Sequence, residues 1–157
     1  MTHSFVMLLY RQPHLTPQEF RKHIQHDWHP IHMRVIAPSR PLSIVLHYPE
    51  RVVNGAGTRF ALSSMLKGKG PDDAPVVAIG DPKDADTQWD ALFVLRMADE
   101  LSLLELQSLL YHGPESAALV AEEEKWCLPE KTKVIFLGES VELCPDTCDE
   151  APRPSTW

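Results

Sequence analysis

Residues 23–32 read H-I-Q-H-D-W-H-P-I-H, with a histidine at every third position: His23, His26, His29 and His32. Imidazole titrates near neutral pH and is the commonest metal ligand, so the row raises two chemistries, metal binding and acid–base catalysis. On an α-helix each residue advances about 100°, so a step of three leaves each ring about 60° behind the last. Across the row this adds to about 180°, which turns His23 and His32 to opposite sides. Rings spread in this way do not converge on one ion. Helical metal sites use histidines four apart, as in H-E-x-x-H, and the row contains no such pair. The sequence therefore predicts no metal.

Taken singly, the four histidines differ. Phe20, Ile24, Ile31 and Val35 recur at helical spacing and define an apolar face. His26 points away from that face, and His23 lies on its boundary. His29 is followed by Pro30, which disfavours helical backbone at the residue before it and removes a donor. The regular helix is expected to end or kink near Trp28. An imidazole at a helix C-terminus sits in negative potential, which raises its pKa and suits it to proton transfer. His29 is thus the candidate acid–base group, set against the plainer reading of a solvated helix-end histidine.

The elements that must position it follow from local signals. Ser4 to Arg11 is a short apolar run closed by Gln12-Pro13, read as a strand. Thr16, Pro17 and Glu19 form a capping box with a proline start, a strong helix-initiation signal. Residues 41–48 and 87–97 read as strands, 101–126 as helix split at Gly113-Pro114, and 131–143 as a last strand. Between them, residues 53–87 carry five of the seven glycines and read as a long loop insertion with one short helix near 59–66. Residues 144–157 form a proline-rich acidic tail, read as flexible, whose Cys144 and Cys148 lack a companion pair for metal binding. One domain over residues 1–143 is expected, an α+β ferredoxin-like βαββαβ sandwich with a four-stranded antiparallel sheet. Helices on one face leave the other face of the sheet in need of a partner, most simply a second copy of the chain.

Bulk properties exclude several function classes. The 157 residues carry 43% apolar and 24% charged residues with a net charge of −7. An acidic balance disfavours non-specific nucleic-acid binding and docking on an anionic membrane. No apolar run approaches the ~20 residues that span a bilayer. The N-terminus lacks a basic region and a cleavage site of the signal-peptide type, and three sparse cysteines fit a reducing cytoplasm.

The stretch L-L-Y-R-Q-P-H-L-T-P-Q-E-F-R-K-H-I-Q-H-D-W-H-P-I resembles the EthD-type branch of the dimeric α+β barrel proteins. The matching pieces are Arg11 at the end of a first strand, the capped helix start Thr16 to Phe20, and His29-Pro30 beside the family's H-x-P segment. The resemblance covers roughly residues 5–31 and implies a homodimer in which each protomer holds an apolar cavity for a small-molecule substrate. Relatives of this kind often work without metal or organic cofactor. Several act in polyketide pathways, where they decarboxylate, dehydrate, cyclise or oxidise aromatic or β-keto intermediates. The family's usual acid–base histidine is carried over onto His29.

Neighbouring elements would supply its partners. Tyr10, His47, Tyr48 and Asp90 are polar residues in or beside apolar strands, and buried polar groups need hydrogen bonds that a ligand can provide. Trp28 and Trp89 would line an aromatic pocket, with ordinary core packing as the alternative. The leading expectation is a cofactor-independent lyase or cyclase in which His29 moves the proton and Tyr10 or His47 donates to an enolate oxygen. A cofactorless oxygenase of an anthrone-like substrate and a non-catalytic ligand-binding dimer are the competing classes.

Overall fold

A computed structural model of the chain describes residues 2–51 and 85–138. Four strands form one sheet: β1 (His3–Leu9), β2 (Ser43–His47), β3 (Ala91–Met97) and β4 (Lys133–Leu137). Their spatial order is β2-β3-β1-β4 and every pairing is antiparallel. The order of strands and helices along the described residues is that expected of the ferredoxin-like βαββαβ sandwich. The short helix expected near 59–66, the end of the last strand beyond residue 138 and the tail lie outside the described residues.

Thr16 caps the first helix as its sequence requires. Its hydroxyl accepts from the Glu19 backbone N–H at 3.2 Å, and the Glu19 carboxylate accepts from the Thr16 backbone N–H at 2.8 Å. The helix does not stop at Trp28. It runs as α1 (Pro17–Lys22), a π-helical segment (His23–Trp28) and α2 (His29–Ile36). In the π segment the His29 N–H reaches back to the Ile24 carbonyl, five residues away. The wider turn accommodates Pro30, which has no N–H to donate and takes the tolerated place at the start of the next α-helical stretch. The proline marks a change of hydrogen-bond register rather than an end. Gly113-Pro114 does divide the later helix, into α3 (Glu100–His112) and α4 (Ser116–Trp126).

Alternation along each strand sets the two faces of the sheet. Phe5, Leu9, Phe93, Leu95 and Met97 are buried under the helices together with Phe20, Ile24, Trp28 and Trp126. The rings of Phe20 and Trp28 both meet Trp126 edge-on, with centroids 5.4 and 5.8 Å away. On the opposite face, strand register aligns Val45, Val94, Val6 and Ile135 in one row across all four strands. Val45 and Ile135 are 42% and 48% exposed, so this apolar row lacks a covering layer among the described residues.

Candidate active site

Among the described residues, two cavities lie between the helices and the sheet, and Trp28 and Phe93 line both. The first, about 320 Å³, is bounded by apolar side chains such as Phe5, Leu106 and Phe136, with His32, Gln107 and Glu123 as polar members. The second, about 390 Å³, opens between the helix and β2, where His29 stands near Met33 and Ile44.

His32 is the unusual group. Ile24, Trp28, His32 and Ile36 recur every fourth residue and all are buried, so an imidazole occupies the inward stripe of the helix. Its ring stacks on the Trp28 indole at a centroid distance of 4.1 Å and meets Phe93 edge-on at 5.3 Å. Among the described residues its Nδ1 makes no hydrogen bond. Desolvation, reinforced by the nearby His29, pushes its pKa down to about 3. His32 is therefore neutral at physiological pH and presents one N–H donor and one lone pair.

Trp28 ties this histidine to α4. Its indole N–H donates to Glu123 Oε1 at 2.8 Å while its face carries the His32 ring. Glu123 continues the inward row of Leu119 and Trp126, and burial raises its pKa against the lowering effect of the indole hydrogen bond. The carboxyl positions the indole, and the indole positions the imidazole.

The residues expected from the sequence are dispersed rather than gathered. His29 is exposed and borders only the outer of the two cavities. The H-x-P pattern puts its histidine two residues before the proline, and that place belongs to Trp28; His29 is one step further round and faces outward. His47 follows Val45 on the uncovered face of the sheet, pointing away from both cavities. Tyr48 is half-buried beneath Arg21, whose guanidinium lies 4.4 Å from the ring centre, and burial raises its pKa. Tyr10 is buried just past β1, where its carbonyl accepts from Leu128 N–H at 2.8 Å. Neither Tyr10 nor Trp89 lines either cavity.

Asp90 is committed to an ion pair and lines neither of these cavities. Its Oδ1 accepts from Arg11 Nε at 2.9 Å and from Arg51 Nη2 at 2.6 Å, and its Oδ2 accepts from the Arg11 backbone N–H at 2.9 Å. Of the expected residues, Trp28 alone lines the His32 cavity.

No family model matches the sequence, and no curated protein does. Among solved structures, the chain is similar to a crystal structure of an ethyl tert-butyl ether d (EthD) family protein from Bacillus halodurans. The TM-score is 0.48 at 15% identity, over 89% of this chain and 100% of that one. The likeness is one of backbone layout. Among the described residues no helix is long and apolar enough to cross a membrane.

Proposed function

We propose that the chain is a cofactor-independent lyase or cyclase acting on a small polyketide-like aromatic or β-keto compound. The observation that carries this reading is His32, a neutral imidazole fixed by stacking on the wall of a mostly apolar cavity. The volume lies at the small end of the roughly 300–1,000 Å³ of small-molecule sites, which suits one or two fused rings.

Decarboxylation of a β-keto acid shows how the arrangement works. In the apolar cavity the neutral acid is favoured over the carboxylate. The bond between the α-carbon and the carboxyl carbon breaks, its electrons form the enol double bond, and the acid proton passes to the ketone oxygen. Carbon dioxide and an enol result. An N–H of His32 directed at that oxygen stabilises the charge that gathers there, and a neutral imidazole does so without surrendering its proton. The enol then leaves the cavity and tautomerises to the ketone in water, which takes the enol proton and returns one to carbon. Glu123 and Trp28 hold the imidazole ring in place. Dehydration toward an aromatic ring and aldol-type cyclisation pass through related enols and need the same donor.

The experiment is a comparison of wild type with His32→Leu on an aryl β-keto acid such as benzoylacetate, following carbon dioxide release. Loss of the donor is expected to lower kcat by about 10²–10³-fold, with the circular dichroism spectrum unchanged. Equal turnover in the two proteins would remove His32 from the mechanism. Tight binding of benzoylacetate by wild type without turnover would instead favour a ligand carrier.

The reading includes a homodimer formed through the uncovered face of the sheet. The row Val45–Val94–Val6–Ile135 is apolar and continuous, which suits a two-fold contact of the face with itself. Val94→Lys would place like charges near the centre of that contact. It is expected to turn a dimer into a monomer in light scattering at micromolar concentration. A wild type that runs as a monomer there would end the dimer reading and leave the His32 chemistry standing.

A further inference from the structure

The His32 mechanism leaves His23, the first member of the histidine row, without a task. Its Nδ1 lies 2.9 Å from Asp27 Oδ2, one turn on in the π segment. The nitrogen is screened from water, yet the contact is not aligned as a hydrogen bond. Glu122 approaches the pair from α4, and the ligand atoms of the three residues all lie within 4.8 Å of one another. We propose that His23, Asp27 and Glu122 form a binding site for a divalent cation of the zinc class.

The donor set argues for that class. One imidazole nitrogen and two carboxylate oxygens suit a borderline cation with three protein ligands and water in the remaining position. Calcium takes six to eight oxygens and magnesium a near-octahedral oxygen shell, and neither calls for an imidazole. Two carboxylates offset the charge of the ion, and the chain's net charge of −7 favours its approach. Zinc bonds of about 2.1 Å place tetrahedral ligand atoms about 3.4 Å apart, so atoms now up to 4.8 Å apart need close by at most about 1.4 Å and the His23–Asp27 pair, at 2.9 Å, need open by about 0.5 Å. Side-chain rotation supplies a movement of that size.

Two features of the fold bring these residues together. The π turn, with its hydrogen bonds across five residues, aligns His23 and Asp27 on one side of the helix. The packing of that segment against α4 then delivers Glu122. This explains why counting histidines four apart missed the grouping: the second ligand is an aspartate and the third comes from another element. Lys125, which ion-pairs with Glu122, is the competitor a cation must displace, and its side chain is 61% exposed and able to swing away. Asp27 and Glu122 immediately precede Trp28 and Glu123, so the cation would clamp from outside the two helices whose inner faces meet at the indole–carboxyl hydrogen bond. A ligand that binds only the folded chain stabilises it by mass action.

The test uses chelator-treated full-length protein titrated with zinc sulfate, read by calorimetry and by thermal unfolding. One zinc per chain and a rise in Tm are expected. Both should be lost in His23→Ala, Asp27→Asn and Glu122→Gln and retained in His26→Ala, which removes an exposed neighbour in the row. Lys125→Ala should bind zinc more tightly, because the competing ammonium is gone. Absence of zinc binding by the wild type, or equal binding by all of these variants, would overturn the site. An equal Tm rise with calcium or magnesium would overturn the assignment to the zinc class. The site and the His32 chemistry stand or fall separately, since the readouts here are binding and Tm and not turnover.

Discussion

Asp90→Ala is expected to destabilise the protein by about 3–5 kcal/mol, the range found when one member of a buried ion pair is removed. Asp90 is 6% exposed, its carboxylate lies between Arg11 and Arg51, and Arg51 is 4% exposed. One of its oxygens accepts from both guanidinium groups, and the other accepts the Arg11 backbone N–H just beyond β1. Its own backbone N–H donates to Leu9 at 2.7 Å, so the residue fixes where β1 and β3 begin to pair. Removing it leaves two cationic side chains close together in low dielectric with the anion between them gone. Asp90→Asn keeps the shape and an acceptor but not the charge, and should fall between wild type and Asp90→Ala. Urea unfolding at neutral pH measures both. A loss below about 1 kcal/mol in Asp90→Ala, the ordinary worth of an exposed pair, would show that the carboxylate does not hold the strands together.

Asp90 also illustrates which parts of the protein could be read from the sequence. That an aspartate beside an apolar strand is buried and needs partners follows from its surroundings. Whether the partner is a ligand or an arginine does not, because Arg11 and Arg51 are 79 and 39 residues away in sequence. Local signals gave the elements: the Thr16–Glu19 capping box, the alternation of the strands and the break at Gly113-Pro114 are all contained within a few residues. At Pro30 the general rule is that proline ends or kinks a helix. The rule identified the place of disturbance but not its form, since a π turn satisfies the same steric demand while letting the helix continue. That continuation decides the site. With the helix carried on to Ile36, the row Ile24–Trp28–His32–Ile36 places an imidazole on the inward stripe. The same kind of row, Leu119–Glu123–Trp126, places a carboxyl on the facing helix. A polar residue interrupting an apolar stripe was the available signal for both.

The buried neutral state of His32 makes a second prediction, for stability against pH. Its pKa is about 3 in the folded chain against 6.5 ordinarily, so below pH 6.5 the unfolded chain takes up a proton that the folded chain refuses. The sign follows: stability is full above the unfolded pKa and is lost as pH falls from 6.5 toward 3. The loss approaches about 1.4 kcal/mol per pH unit, or about 2 kcal/mol between pH 6.5 and pH 5. Other groups titrate in the same range. Glu123 on α4 has a raised pKa that works in the opposite direction. The lowered carboxylates of Glu19 and Asp99, held by backbone hydrogen bonds from Thr16 and Ser102, contribute only at more acidic pH. A difference measurement isolates the imidazole. His32→Leu replaces it with an apolar side chain in an apolar wall and keeps the other groups. Urea midpoints at pH 7 and pH 5 should therefore fall steeply for wild type and much less for His32→Leu. Equal slopes would mean that His32 is protonated in the folded chain, and the neutral hydrogen-bond donor of the proposed mechanism would then be lost. A flat variant beside a steep wild type would show the imidazole held neutral by the walls that are proposed to bind the substrate.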